Sequence, residues 1–324
     1  MLSIIIPAYN AENTILNTLK SVVSQKTGFE FEIIVMDNGS KDSTVEVTES
    51  FLSNYLSHFK VIKNPKNLGL AGSINAGVKE SDPKNNFVMI LHSDIVLTDN
   101  KWLDKLIPYL KDDVACVTSP VLLPENVYAD FGFWEKALFS WEVGDEYNHS
   151  VTTLNYSDGK NDIFRKDIYL RFGGYDGITY KDSCEDVDLS KRLQKAGYKI
   201  ISVPSPVSHL HSSQSTGLYT ILFWKNPILS EGQGVLYRKY QFIGGWNNQI
   251  FKTLAILMLF IPFFVARVIA FVYIATIIFG GTYLAFKKIN KFKVFILLPP
   301  VKLLDYILNL LYFWRGFITG KQRK

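Results

Sequence analysis

The sequence predicts an α/β protein with a sheet domain over residues 1–225 and an apolar helical segment over residues 226–324. In the first part, short apolar runs alternate with runs of helical periodicity, and polar turns follow several of the apolar runs. This alternation of strand and helix is typical of a parallel sheet covered by helices on both faces. The last part contains two long apolar runs with few charges, which predict helices that associate with a membrane.

The apolar periodicity predicts the individual elements of the first part. Residues 2–6 form an apolar run that stops at Pro7, which indicates a buried strand, whereas Ile15, Leu19 and Val22 share one face of a helix. By these criteria, strands are predicted at residues 2–6, 31–36, 61–62, 87–91, 114–123 and 198–203. Helices are predicted at residues 14–24, 44–56, 71–79, 101–110 and 189–196.

The composition limits the classes of partner. The 324 residues carry a net charge of +5, and the basic residues become denser toward the C-terminus. Because these cations flank apolar runs instead of forming a stripe on a folded face, they favour anionic lipid headgroups over nucleic acid. The two cysteines, Cys116 and Cys184, are too far apart to indicate a disulfide framework or a metal cluster. The N-terminus has no basic lead-in or cleavage site of a signal peptide, so we expect the first domain in the cytoplasm.

Three polar turns follow predicted strands at the edge where parallel sheets bind ligands, beyond the carboxyl ends of the strands. Asp37 is suited to accept a hydrogen bond from a nucleotide base, and Tyr9 is suited to flank the ring. The residues predicted to bind a nucleotide donor here are Pro7, Ala8, Tyr9, Asn10, Asp37, Asn38, Asn67 and Gly69. Each turn alone is equally consistent with an ordinary turn. Neither a G-x-G-x-x-G nor a Walker A sequence is present, which argues against a dinucleotide or P-loop site.

A candidate metal ligand follows the apolar run at residues 87–91. Asp94 comes at the carboxyl end of this predicted central strand, directly after Ser93, and a carboxylate facing a diphosphate suits Mg²⁺ or Mn²⁺. We therefore predict that Ser93 and Asp94 contact the donor and that Asp94 holds a divalent metal. A turn that merely ends the strand is the alternative.

A candidate catalytic base lies in a short acidic run that precedes a predicted helix. Glu185, Asp186 and Asp188 fall within four positions, and carboxylates at a helix start are also stabilised simply by free backbone N–H groups. A carboxylate held at that place beside a pocket is well placed to take a proton from an attacking hydroxyl. We predict that Asp186 is the base and that Glu185 is a second catalytic residue.

An ordered series of motifs carries a resemblance to a known family. In one-letter code they are SIIIPAYN at 3–10, VMDNGS at 35–40, NLG at 67–69, NAG at 75–77, FRK at 164–166, GGYD at 173–176, EDVDL at 185–189, RL at 192–193 and AGY at 196–198. Over residues 1–225 the chain resembles the inverting family 2 glycosyltransferases of the GT-A fold, and within them a rhamnosyltransferase-like subgroup. The resemblance implies a GT-A, Rossmann-like nucleotide-sugar domain in which the first three loops hold the nucleotide, Asp94 holds the metal and Asp186 is the base.

One position departs from the family pattern. The acidic metal motif of the family usually has acids at both ends of a triplet, whereas this chain has His92 in the first place. The family often places a histidine after the strand that follows the acidic helix, and here both His209 and His211 follow the predicted strand. The resemblance therefore implies a histidine as a second metal ligand, with His211 preferred over His209.

The C-terminal part predicts membrane association. Residues 250–286 and 294–314 are apolar with few interruptions, and Arg267 near the middle of the long run is costly inside lipid unless it has a partner. The alternatives are a hairpin across the membrane, helices lying in its interface, or a buried interface of a homo-oligomer. Because the apolar content exceeds what a surface helix needs and lysines bracket it, we expect attachment to membrane lipid at the cytoplasmic face of the cell membrane.

Together these features predict an inverting glycosyltransferase of hexosyl or rhamnosyl type, active in polysaccharide biosynthesis. It would transfer a sugar from a nucleotide-diphosphate donor to a lipid-linked or cell-surface glycan acceptor. A polyprenyl-phosphate sugar synthase is the alternative within enzymes. A non-catalytic membrane protein that binds nucleotide sugars or glycans is the alternative outside them, and His92 is the feature that supports it.

Overall fold

The structure is a computed structural model that describes residues 1–55, 58–138, 143–144, 146–181, 183–211, 217–241 and 248–323. The chain divides into two compact units. Unit 1 consists of Met1–Ala129 and Glu142–Ser213, and unit 2 consists of Asp130–Trp141 and Gln214–Lys324. Unit 1 thus ends before the predicted boundary at residue 225, and a short segment from the first part belongs to unit 2. The functional division into a catalytic domain at 1–225 and a membrane-association segment at 226–324 stays a prediction.

The predicted α/β class is confirmed in unit 1. Its strands are β1 (Leu2–Ala8), β2 (Phe31–Asp37), β3 (Phe59–Lys63), β4 (Phe87–Leu91), β5 (Ile95–Leu97), β6 (Val114–Thr118), β7 (Val121–Leu122), β8 (Thr152–Thr153), β9 (Asn161–Arg165), β10 (Lys199–Ser202) and β11 (Val207–His209). Most of them form one sheet in the order β3-β2-β1-β4-β9-β6-β10-β8, and the others form a small sheet in the order β5-β11-β7.

The helices are α1 (Ile15–Val23), α2 (Thr44–Leu52), α3 (Gly69–Glu80), α4 (Trp102–Leu106), α5 (Glu125–Ala129), α6 (Phe133–Leu138), α7 (Lys166–Arg171), α8 (Glu185–Lys195), α9 (Leu218–Thr220), α10 (Asn226–Tyr240), α11 (Asn248–Leu259), α12 (Phe264–Ile289) and α13 (Lys293–Thr319). Helix α2 ends before residue 56, the predicted end, which itself lies outside the described residues. Helices α6 and α9–α13 belong to unit 2, and the others belong to unit 1.

The main sheet is covered by a hydrophobic core on each face. The apolar residues of β1 alternate between these cores, with Ile4 and Ile6 in one and Ile5 in the other. Helix α1 contributes Ile15, Leu19 and Val22 to the first core, as their spacing predicts. Because both faces are buried, the central strands are apolar throughout, which is why the sequence shows them so clearly.

The predicted parallel arrangement is confirmed for β1, β2 and β3, but two further strands are antiparallel to their neighbours. Strand β9 lies between β4 and β6 and is antiparallel to both, and β8 is antiparallel to β10. The run at Asn161–Arg165 was not predicted as a strand because it begins with the polar residues Asn161 and Asp162. Its insertion makes the sheet mixed, with parallel pairs on the β3-β2-β1-β4 side.

The predicted strand at residues 114–123 is two strands in different sheets. Strand β6 belongs to the main sheet, and β7 pairs with β11 in the small sheet. Pro120 lies between them, and proline cannot donate a hydrogen bond to a continuous ladder. The small sheet is important for the site because β5, which follows Asp94, pairs with β11, which precedes His211.

Unit 2 contains two helices that are long and apolar enough, by length and composition, to cross a membrane. They are α12 with 26 residues and α13 with 27 residues. Both are candidate membrane-associated segments. Arg267, near the middle of the apolar run 250–286, lies near the start of α12, where its Nε donates to the Ile261 carbonyl at 2.9 Å.

Candidate active site

The carboxyl edge of the main sheet brings the first predicted loops together. Ala8 and Asp37 are register partners at the ends of β1 and β2, and the Asn38 N–H donates to the Ala8 carbonyl at 2.8 Å. Asp37 is nearly fully buried, and its carboxylate accepts the backbone N–H groups of Gly39 and Ser40, each at 3.2 Å. Asp37 therefore fixes its own turn, while its carboxylate retains unused lone pairs.

Asn38 holds the third loop against the second. Its Nδ2 donates to the Gly69 carbonyl at 3.3 Å, and its Oδ1 accepts Asn64 Nδ2 at 2.9 Å. Asn67 accepts the Gly69 N–H at 2.8 Å. One hydrogen-bonded loop cluster beside β2 therefore contains Asn38, Asn67 and Gly69, three of the residues predicted to bind the nucleotide.

The first loop presents an exposed aromatic ring. Tyr9 is 52% exposed, and the neighbouring Asn10 has a left-handed backbone with φ of 50°. The Asn10 N–H donates to Ser40 Oγ at 2.9 Å, and Asn10 Oδ1 accepts the Lys41 N–H at 2.9 Å. These bonds join the first two loops and leave the Tyr9 ring available for stacking on a flat ligand.

Asp94 and His209 are brought into contact by the small sheet. Strand β5 follows Asp94 directly, and its pairing with β11 puts His209 opposite Ile95. His209 Nε2 lies 3.1 Å from Asp94 Oδ2. Burial alone would raise the pKa of the Asp94 carboxyl, but the hydrogen bond and charge of His209 lower it to about 2. Asp94 is therefore ionised at neutral pH, the form that a hard cation requires.

The residues around Asp94 fit a partial metal site. Asp94 Oδ1 is buried and has no hydrogen-bond partner in the described part of the chain. Two ligands of one Mg²⁺ or Mn²⁺ in octahedral geometry lie about 3 Å apart, which matches the separation of Asp94 and His209. The His211 ring centroid is 5.3 Å from that of His209. Among the described residues, no group of three or more His, Cys, Asp or Glu side chains is arranged to hold a metal, so a donor diphosphate would have to complete the set.

His92, where the family pattern expects an acid, is half-buried. Burial lowers the pKa of the His92 imidazole to about 4, so that the ring is neutral at pH 7. Its backbone N–H donates to the Lys160 carbonyl at 3.0 Å, which joins the end of β4 to the loop before β9. Ser93 is half-buried between His92 and Asp94.

Asp186 lies in the first turn of α8, as predicted. It is half-buried, and its Oδ1 accepts the Val187 N–H at 2.7 Å. A Cβ added at Gly159 would lie 3.2 Å from the Asp186 Cβ, so only a glycine lets the loop approach this closely. Burial raises the pKa of the Asp186 carboxyl to about 6, opposed by the Val187 N–H. The charge of Asp158 raises the same pKa, and Lys160 lowers it.

The chain before α8 is held in an unusual conformation. Cys184 precedes the helix in the left-handed region, with φ of 74°, which is rare for residues other than glycine. Glu185, the second predicted catalytic residue, is buried and adjoins Asp186 in the first turn. Asp188 is fully buried and its Oδ2 accepts Arg192 Nε at 2.8 Å. Asp188 therefore anchors α8, which leaves Asp186 as the half-buried carboxylate of the three.

The structure adds Lys160 and Asp158, which sequence analysis missed. Lys160 Nζ lies 3.2 Å from Asp158 Oδ2, and the charges of both Asp186 and Asp94 act on Lys160. Burial would lower the pKa of the Lys160 ammonium, but these carboxylates raise it. Lys160 is therefore a cation that electrostatically links the candidate base to the candidate metal ligand. The polar run DGKND at residues 158–162 is the sequence signal that marks this loop.

Asp162 is a buried carboxylate that the predicted site did not include. It is 0% exposed on β9, and neither oxygen makes a hydrogen bond in the described part of the chain. Burial raises the pKa of the Asp162 carboxyl to about 7, and the charge of Asp158 acts in the same direction.

Comparison with known proteins gives a family match for most of unit 1 and neighbouring residues. Residues 3–153 match the model of glycosyl transferase family 2. The chain is similar to the minor teichoic acid biosynthesis protein GgaA of Bacillus subtilis (strain 168), with 36% identity over 102 residues, which are 31% of this chain and 23% of that protein. It is also similar to the O-antigen chain rhamnosyltransferase RfbN of Salmonella typhimurium, with 26% identity over 219 residues, 65% of this chain and 67% of that protein. The chain thus aligns with about a quarter of GgaA.

The fold is also shared with a solved structure. The mannosyltransferase PcManGT from Pyrobaculum calidifontis, in complex with GDP-Man and Mn²⁺, superposes with a TM-score of 0.58 at 16% identity, over 98% of this chain and 86% of that chain. The predicted GT-A-like fold is therefore confirmed. The family match ends at residue 153, so the roles of Asp186, His209 and His211 stay predictions.

The buried Asp162 predicts a pH-dependent stability. Its folded-state pKa of about 7 lies above the ordinary value of 3.8, so its contribution to stability is present below pH 4 and is lost as the pH rises to about 7. We expect Asp162→Asn to unfold at a higher temperature than the wild type at pH 8. The corresponding gain in the free energy of unfolding is at most about 4 kcal/mol, and it should shrink toward pH 5. Thermal unfolding of the full chain in detergent measures it.

Asp113→Asn is the control for this measurement, because Asp113 is exposed and pairs with Lys199 at the surface. We expect that variant to show no gain in stability at pH 8. A difference between Asp162→Asn and wild type that stays constant from pH 5 to pH 8 would contradict the raised pKa.

Proposed function

Residues 3–153 of this chain form a glycosyl transferase family 2 domain, and on this premise we propose that the protein transfers a sugar from a nucleoside diphosphate to a hydroxyl group. The observation that carries the proposal is the environment of Asp186. This carboxylate is half-buried, has a pKa raised to about 6, and interacts electrostatically with Lys160, as does Asp94. Such a transfer uses a base positioned for the acceptor proton and positive charge positioned for the leaving diphosphate.

The donor is proposed to lie along the carboxyl edge of the main sheet. Tyr9 would flank the base, Asp37 would accept from it, and the loop cluster of Asn38, Asn67 and Gly69 would approach the ribose. The exposed ring of Tyr9 and the hydrogen bonds that already order these loops support this assignment. Preordered loops lower the entropy lost when the nucleotide binds.

The transfer is proposed to be a single displacement with inversion. The acceptor oxygen forms a bond to the anomeric carbon while the bond from that carbon to the diphosphate oxygen breaks. The electron pair leaves on the diphosphate, and the acceptor proton goes to the Asp186 carboxylate. The raised pKa of Asp186 makes it a stronger base than an exposed aspartate, yet leaves it mostly ionised at pH 7. Glu185 is proposed to support this carboxylate from the same turn.

A divalent metal is proposed beside the diphosphate. Asp94 and His209 would hold it, with His211 as a further candidate, because Asp94 and His209 already meet at 3.1 Å. The predicted preference for His211 over His209 is therefore reversed in this proposal. When bound, Mg²⁺ or Mn²⁺ supplies positive charge that stabilises the departing diphosphate. Lys160 is near enough to Asp94 to add charge on the same side.

The acceptor is proposed to be lipid-linked or part of a cell-surface glycan, and the donor sugar a hexose or rhamnose. The names of GgaA and RfbN support a role in polysaccharide biosynthesis. The candidate membrane-associated helices α12 and α13 support attachment at the cytoplasmic face, where a lipid-linked acceptor would be reached. Tethering the domain there would raise the effective acceptor concentration.

The base is tested by Asp186→Asn, which keeps the size of the side chain but removes its capacity to accept a proton. We expect nucleotide release from a panel of nucleotide sugars with acceptor to fall by roughly 10²-fold or more, with donor binding retained. Asp104→Asn, an exposed position on α4, is the matched control and is expected to keep full activity. Wild-type rates in Asp186→Asn would contradict base catalysis by this residue.

The metal is tested by chelation and by substitution of each ligand. We expect excess EDTA and Asp94→Ala each to abolish turnover, and Mn²⁺ or Mg²⁺ to restore only the chelated wild type. His209→Ala should weaken metal binding, measured by titration calorimetry in the presence of nucleotide, more than His211→Ala does, since His209 contacts Asp94. Full activity in excess EDTA would mean that Lys160 and other cations stabilise the leaving group without a metal.

A further inference from the structure

Helix α10, a polar helix of unit 2, packs along the second half of α13. Asn226 Nδ2 donates to Asp305 Oδ1 at 2.8 Å, and Ser230 Oγ donates to Asn309 Oδ1 at 2.8 Å. The paired positions advance together along α10 and α13, so the two helices run parallel. Asn226, the first residue of α10, therefore lies beside the middle of α13.

The contact between α10 and α13 brings the two backbones together. A Cβ added at Gly234 would lie 2.0 Å from the Phe313 carbonyl oxygen, and one at Gly316 would lie 2.1 Å from the Glu231 carbonyl oxygen. The Glu231 side chain is fully buried and accepts Arg315 Nη1 at 2.6 Å. Separating the helices would take this cation away from the buried Glu231 carboxylate and open the close backbone contact, so α10 must occupy whatever environment α13 occupies.

Helix α10 is unsuited to the interior of a bilayer. Its 15 residues extend about 22 Å, less than the roughly 30 Å of a hydrocarbon core. It carries the exposed cations Arg238 and Lys239, and each charge at the bilayer centre costs about 2.5–3.5 kcal/mol or more. If α13 crossed the membrane, the start of α10 and the chain that leads to it would lie near the bilayer midplane.

The turn between α12 and α13 packs against helix α6, whose segment belongs to unit 2 but directly follows unit 1 in the sequence. Helix α6 packs there through Ala137, in one apolar cluster with Ala285, Val294 and Leu298. Lys293 Nζ lies 4.7 Å from the centre of the Phe133 ring. Residue 130, where the α6 segment begins, continues directly in the chain from residue 129 of unit 1. Because one step of the chain is far too short to cross a bilayer, we expect the turn on the side of the membrane that residue 129 occupies.

Cations mark both ends of the α12–α13 hairpin, with exposed apolar side chains between them. The turn end carries Lys287, Lys288, Lys291 and Lys293, and the opposite end carries Arg238, Lys239, Arg315, Lys321 and Arg323. Between them, Phe271 is 68% exposed and Leu311 is 62% exposed. A crossing hairpin would translocate one of the two cationic ends, which runs against the bias of Lys and Arg toward the cytoplasmic side.

We propose that α11–α13 lie along one surface of the membrane, with their exposed apolar side chains in one leaflet and both cationic ends at anionic headgroups. This inference rests on the proposed membrane attachment and selects one of its modes. Buried apolar area and charge both contribute to the binding of helices that lie in an interface. Neither α12 nor α13 then crosses, although each is long enough to do so.

The arrangement is tested with single cysteines in the full chain, because the native Cys116 and Cys184 are buried. Lys84→Cys marks unit 1, Asn290→Cys marks the turn and Lys321→Cys marks the opposite end; Lys84 and Lys321 are exposed. A membrane-impermeant maleimide is applied to sealed vesicles of defined orientation, before and after permeabilisation. We expect all three thiols to react from the same side, with at least a tenfold excess over the other side.

Reaction of Lys321→Cys from the side opposite to Lys84→Cys would overturn the proposal, because the hairpin would then cross. Lys291→Cys and Gln241→Cys, both exposed, replace a marker that proves unreactive after permeabilisation. Recovery of the full chain in the soluble fraction without detergent would overturn it in a different way, since membrane attachment itself would fail. Sugar transfer measured on the same preparations reports separately on the catalytic proposal.

Discussion

The candidate site depends on the removal of carboxylates from water at the carboxyl edge of the sheet. The antiparallel strand β9, inserted between β4 and β6, carries Asp162 in its interior and is preceded by the loop with Asp158 and Lys160. That loop reaches Asp186 through Gly159 and is joined to β4 through the backbone of His92. Burial therefore raises the pKa values of Asp162 and Asp186 toward neutrality, while His209 holds Asp94 ionised. Three acids of one residue type acquire three different proton affinities from their surroundings.

The sequence predicted the parts of the fold whose signal is local. Buried strands such as β1 and β4 are continuous apolar runs, and α8 begins with an acidic turn, so their positions could be read directly. Strand β9 could not, because its first residue, Asn161, is polar and finds its partner far away in the sequence: Asn161 Oδ1 accepts the Thr118 hydroxyl at 2.7 Å. Long-range contacts also decide between the candidate metal ligands. The sequence suggested Asp94 together with His209 or His211, and it favoured His211. The contact with His209 arises from the pairing of β5 with β11, which no periodicity reveals.

The departure at His92 has a physical consequence for the metal proposal. A second acid at that position would add negative charge beside Asp94, whereas the half-buried His92 is neutral at pH 7. Under the proposed function, the positive charge near a diphosphate would then be shared between a metal held by few protein ligands and the cation Lys160. In unit 2 the composition of single helices and their packing also point in different directions. Helices α12 and α13 are apolar enough for a membrane, yet α10 packs against α13 with the buried carboxylate of Glu231, which pairs with Arg315.

The most direct measurement of the central claim is the pH dependence of kcat/KM in the wild type and in Asp158→Asn. If Asp186 is the base, it must be ionised to act, and burial raises its pKa to about 6. Wild-type kcat/KM should therefore fall as the pH drops through about 6. The charge of Asp158 raises the pKa of Asp186, so its removal should move that acidic limb to lower pH. An acidic limb at the same pH in both proteins, or near the ordinary aspartate value in the wild type, would contradict the account.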